Sequence, residues 1–229
     1  MDDERNVHQI IRKDARNCFV ETLSDFFEHG KVHFCFASYD MKRPAGQRQT
    51  DSVHIYIAVD EFLELCQKLV TGELRHMMRQ RTEQNDKSAL YKCLGGTSAE
   101  KLQRLGRPRP DGKSLSRTAD LVCGKNGNFL FVANSGPGET NKTGLIVPRF
   151  GNQPENHVSV SMTWEAFSGL MLMTKAHYEA WLAAWYREQI KRPKKSYQAK
   201  SERVQEQPQQ DVAEPEYFAE PEYVAMAPF

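Results

Sequence analysis

The chain has no run of the roughly 18 apolar residues that cross a bilayer as one helix, and its N-terminus shows no signal-peptide core. Neither a membrane-spanning helix nor export is expected. Cysteine is sparse: Cys18, Cys35, Cys66, Cys93 and Cys123 are odd in number and form no CxxC pair. A disulfide framework and a thiolate metal centre are both disfavoured, and reduced thiols in a cytoplasm are expected. No metal site is expected from the seven histidines, and no cofactor. Net charge is also nearly lacking, at +1 over 229 residues. The balance is uneven, however. From Asp211 onward there are five acids and no base, so the preceding residues carry about +6.

Catalytic constellations are missing too. Gly136 to Thr143 nearly fits the phosphate-loop pattern G-x-x-x-x-G-K-[ST], but Asn141 stands where the second glycine belongs. A strand-like Gly144-Leu-Ile-Val-Pro148 follows, where a phosphate loop needs a helix N-terminus. A hairpin loop offering Lys142 to a phosphate is the better reading, and an enzyme is not expected.

What is present is a repeated unit. Val158, Val160 and Met162 alternate with polar residues as in a half-buried strand. Thr163 can then cap a helix that has Glu165 in its first turn and Phe167, Leu170 and Met171 at helical spacing. The same unit occurs 105 residues earlier. Val53, Ile55, Ile57, Asp60, Phe62 and Leu65 match Val158, Val160, Met162, Glu165, Phe167 and Leu170. A constant offset over six positions suggests an internal duplication.

The expected fold class is α+β, with two related antiparallel sheet-plus-helix units of ββββα type and a disordered C-terminal tail. The first unit occupies 1–80, with a charged, loose start over residues 1–13. Residues 14–27 suit a helix or part of a hairpin. A strand is expected over 31–39, a polar loop over 42–50, a strand over 52–58 and a helix over 60–80. Residues 81–114 read as a polar connector, with a short helix at 98–105. The second unit, 115–190, has strands at 115–123, 129–133, 144–150 and 157–163, then a long helix. Asn126-Gly127 marks a tight turn, and 135–143 a long one. From residue 191 the composition turns to Gln, Glu and Pro, which cannot build a core.

The tail repeats Ala-Glu-Pro-Glu-Tyr at 213–217 and 219–223 and ends in Pro228-Phe229. A terminal Phe offers a ring and a carboxylate together, while acids upstream steer an encounter. This end resembles the acidic Pro-Phe tip of bacterial single-stranded DNA-binding proteins. It departs from that pattern at Val224 to Ala227, where the family has a dense Asp run. The resemblance implies recruitment of DNA-replication or repair proteins through Pro228 and Phe229. The body is similar in element order to the PC4-like and Whirly single-strand binders, in which strands of two units present a curved face to the nucleic acid. A possible homodimer goes with that reading, as does an origin in a phage or conjugative element.

Binding a single strand needs cations along the backbone path and flat rings for the bases. The candidate cations are Lys31, Lys42, Arg43, Arg48, Arg117, Lys125, Lys142 and Arg149. The candidate rings are Tyr39, Tyr56, Phe129, Phe131 and Phe150, with core packing the plainer reading of Phe129 and Phe131, and His54 is a further candidate beside Tyr56. On the strand at 52–58 the apolar residues should face the helix, which turns His54 and Tyr56 outward. Tyr56 is the leading candidate. The expected function is therefore binding and protection of single-stranded DNA with little sequence preference. The alternatives are an adaptor or structural component of a phage or conjugation apparatus and an RNA-binding regulator.

Overall fold

The structure, a computed structural model, describes residues 7–191. The tail with Pro228 and Phe229 lies outside the described residues. Two antiparallel sheets form the frame. The first has the order β1 (Gln9–Ala15), β2 (Cys18–Leu23), β3 (Lys31–Tyr39) and β4 (Gln49–Ala58). β4 runs into α1 (Val59–Val70), and α2 (Glu73–Glu83) follows. The two helices divide at Gly72, whose φ of 80° lies in the left-handed region that suits glycine. One continuous helix over 60–80 is thereby corrected to two.

The second sheet is built from β5 (Tyr91–Thr97), β6 (Ser114–Cys123) and β7 (Phe129–Thr140), with the short helix α3 (Ala99–Arg104) between β5 and β6. The start of β7 pairs with β9 (Asn156–Met162) and its end with β8 (Ile146–Pro148). β9 runs into α4 (Trp164–Lys191), capped as expected by the Thr163 hydroxyl, which accepts from the Ala166 amide at 3.2 Å. The fold class is α+β, with a sheet followed by a helix twice. No helix among the described residues is long and apolar enough to cross a membrane.

Several local expectations change. The charged stretch at 9–15 is a strand, because Ile10 and Ile11 are half-buried against the core. The ambiguity at 14–27 resolves as a hairpin arm, with Val20 and Thr22 fully buried on one face of β2. Residues 81–114 hold β5 and α3 and do not form a plain connector. Gly95-Gly96 hid β5, since glycine weakens a strand signal. At Gly96 an added Cβ would lie 2.3 Å from the Leu115 carbonyl oxygen, so the close pairing of β5 and β6 requires glycine. The long turn expected at 135–143 is mostly strand, since β7 continues to Thr140. That extended backbone removes the phosphate-loop geometry. Asn126 (φ 57°) and Gly127 (φ 74°) do make the tight turn between β6 and β7.

The repeat is visible in the packing. Val53 and Val158, Ile55 and Val160, Ile57 and Met162, Phe62 and Phe167, and Leu65 and Leu170 are all buried. The Cys66 thiol sits 3.8 Å from the Met171 carbonyl oxygen, and these two residues are again 105 apart. α1 and α4 therefore meet at equivalent positions, as an approximate two-fold relation demands. β8 is an addition to the second unit with no counterpart in the first. The two sheets share one core. Phe131 of β7 makes edge contacts with Phe34 and Phe36 of β3 and with Phe167 of α4.

Candidate nucleic-acid interface

Strand alternation divides each sheet into a core face and an outer face. In the first sheet Val32, Phe34, Phe36, Val53, Ile55 and Ile57 take the core face. Lys31, His33, Cys35, Ala37, Ser52, His54 and Tyr56 then share the outer face, with Phe19 and Glu21 of β2; His33, Cys35 and Ala37 are buried there and the others half-buried. His33 and Tyr56 are ladder partners, and their rings stack with centroids 4.5 Å apart. Phe26, in the turn after β2, covers this end, 4.5 Å from the Tyr56 ring and 5.8 Å from that of His33. At the other end Phe19 contacts Tyr39 at 6.5 Å, and the Arg12 guanidinium lies 3.6 Å over the Phe19 ring.

A hydrogen-bonded chain crosses this face. Asp25 accepts from His33 Nδ1 at 2.9 Å, His33 Nε2 faces His54 Nδ1 at 2.9 Å, and His54 Nε2 faces the Ser52 hydroxyl at 3.2 Å. With Nδ1–H of His33 given to the carboxylate, His33 Nε2 must accept from His54, and His54 Nε2 must accept from Ser52. Both rings are neutral in that arrangement. Burial pushes both imidazole pKa values below their ordinary level, Asp25 opposes this at His33, and the His33 and Arg117 charges add to it at His54. Burial likewise pushes the Cys35 thiol up to about 11 and keeps it neutral.

Arg117 reaches this group from β6. Its Nη1 donates to Thr97 Oγ1 at 3.0 Å, and burial works against its charge while Tyr56 favours it. Three arginines among the described residues are not exposed: Arg81, Arg109 and Arg117. Arg81 pairs with Asp86, and Arg109 with Asp111 and Glu155. No carboxylate among the described residues is within ion-pair reach of Arg117.

The structure thus brings His54, Tyr56 and Arg117 together, with Lys31 two residues from His33 on the same face of β3. Tyr39, Lys42, Arg43 and Arg48 lie at the opposite end of the same sheet, about 20 Å from Tyr56 at strand spacing. There Arg43 is within 4.0 Å of Asp40, and Arg48 donates to the Arg43 carbonyl. The remaining candidates belong to the second sheet, where Phe129 and Phe131 are fully buried on its core face and so are not available to a base. Lys125 and Lys142 lie beyond opposite ends of β7, more than about 36 Å apart along the strand. Arg149 pairs with Glu139 at 2.7 Å, and Phe150 packs on Gly136 of β7. They do not join the first group.

Arg12, Phe19, Asp25, Phe26, His33 and Ser52 join the face without having stood out in the sequence. His33 carried a signal, since it alternates with Cys35 on a strand, but its partnership with Tyr56 depends on register. His29 and His33 stand four apart. His29 lies in a 3-10 turn and His33 on β3, so the spacing does not align them as on a helix. No cluster among the described residues could hold a metal ion.

The two outer faces differ although the core faces match. By register, His33, Cys35, His54 and Tyr56 correspond to Leu130, Val132, Ser159 and Ser161. The second sheet forms without rings or histidines at those places. The fold itself therefore does not require them. No family model matches the chain, and neither a curated protein nor a solved structure matches it.

Proposed function

We propose that the protein binds single-stranded DNA across the outer face of the first sheet. One observation carries this reading: of two sheets with matched core faces, the first gathers Phe19, His33, His54 and Tyr56 on its outer face with cations beside them. The only ring and cation that the strands of the second carry there are His157 and Lys92, and Lys92 lies by Asp120. Phe19, Tyr39 and Tyr56 supply flat surfaces for bases. Lys31 and Arg117 at one end, and Arg12, Arg43 and Arg48 at the other, supply charge along the backbone path. Such contacts are tolerant of sequence and sensitive to salt. In this reading the acidic tail with Pro228 and Phe229 recruits replication or repair proteins, the five reduced thiols suit a cytoplasmic setting, and the chain acts alone or as a homodimer.

The test is binding of the full chain to a labelled oligo(dT) of about 60 nucleotides, beside a duplex of equal length, at two salt concentrations. Tight, salt-sensitive binding to the single strand is expected. Replacing Tyr56 by Ala should weaken it by about 1–3 kcal/mol, the value of one base–ring stack. Equal affinity for the duplex, or none for either, overturns the proposal.

A further inference from the structure

A half-buried arginine without a carboxylate is an expensive arrangement, because desolvation of the charge is offset by no opposite charge. Arg117 is in that position, while the other two unexposed arginines have acids. β4, which carries His54 and Tyr56, packs against β6, which carries Arg117, and against β5, which carries its partner Thr97; the Arg117 charge accordingly bears on His33, His54 and Tyr56. The other groups facing the histidine pair are Asp25 from the turn after β2, held by His33, and Cys35 from β3, with Glu21 beside it. Asp25 is thus already occupied, and Arg117 lacks an anion.

The histidine pair adds a constraint. One extra proton fits: placed on His54 Nε2, it turns the contact with Ser52 into a donation and leaves the His54-to-His33 bond intact. A second proton does not fit. It would set Nε2–H of His33 against Nδ1–H of His54 across 2.9 Å. The pair can therefore change charge by one, beside Arg117, in the pH range where imidazoles titrate.

We infer that Arg117 forms a phosphate subsite of the proposed binding face, beside Tyr56, and that the charge of the His33–His54 pair ties its occupation to the uptake of one proton. The nature of the ligand rests on the DNA reading above. An anion at the subsite gives Arg117 its missing partner and favours the protonated pair, and protonation favours the anion in return.

The experiment follows the imidazole resonances of the full chain from about pH 8 to about pH 5, with and without inorganic phosphate. One proton is expected over the two rings, and phosphate should raise its midpoint. Arg117→Met should abolish the phosphate effect. Arg117→Lys, which keeps the charge and loses the fork, reads the same site should the first variant not fold. In parallel, oligo(dT) affinity should rise about tenfold between pH 8 and pH 5.5, and His54→Gln should flatten that rise. Loss of one phosphate contact in Arg117→Met should lower the salt slope by about 0.7. Independent titration of the two rings, or no response to phosphate, overturns the inference. Oligo(dT) binding with no pH dependence overturns it and leaves the DNA reading standing. A phosphate response without oligo(dT) binding supports the subsite and overturns the DNA reading.

Discussion

Tyr56 is half-buried, and both its strand neighbours and the rings beside it hold it in place. Its backbone position is set by Ile55 and Ile57, which are buried on the core side. Its ring is fixed by His33 and Phe26. The histidines beside it also predict how stability responds to pH. Burial holds both imidazoles below their ordinary pKa, so the unfolded chain binds more protons than the folded one in between. Their contribution is complete above about pH 6.5 and is lost as the pH falls through the folded values. The melting temperature should drop between about pH 7.5 and pH 5.5, and His54→Gln should shrink that drop. An unchanged melting temperature would mean that the pair is not kept neutral by its burial.

At the scale of elements, β5 decides how the second sheet begins. It pairs with β6 through seven residues, Gly95 and Gly96 among them. Gly95 has open space where a side chain would go, whereas Gly96 faces the Leu115 carbonyl and the Ile146 side chain. Gly96→Val should therefore destabilise the protein by more than about 2 kcal/mol, since backbone has to move. Gly95→Val should be near neutral. Denaturant melts of the two variants check the contrast, and equal midpoints would show that β5 and β6 can separate without loss.

Over the whole molecule the charge is divided: the body is basic and the last nineteen residues are acidic. If the body binds DNA as proposed, acids on the same chain compete with the DNA for its basic face. Deleting residues 211–229 should leave oligo(dT) affinity unchanged or raise it, measured at low salt, where the effect is largest. Loss of affinity on deletion would assign the tail to DNA binding.

Much of this architecture was written in the amino-acid pattern. Alternation in Val53–Ile57 and Val158–Met162, the helical spacing after each, and their 105-residue offset determined two strand-to-helix units, because burial on one face imposes a period. Asn126-Gly127 determined its turn for a local steric reason. Strand β5 and the continuation of β7 to Thr140 were hidden, since Gly95, Gly96, Gly136, Pro137 and Gly138 read as turn residues until a neighbouring strand pairs with them. The candidate site divides the same way. His54 and Tyr56 were legible as outward residues of one strand. Their meeting with His33, Asp25, Phe26 and Arg117 was not, because strand register and the approach of β6 join residues up to 92 positions apart. Local sequence specifies which way a side chain points, while the pairing of distant strands specifies what it meets.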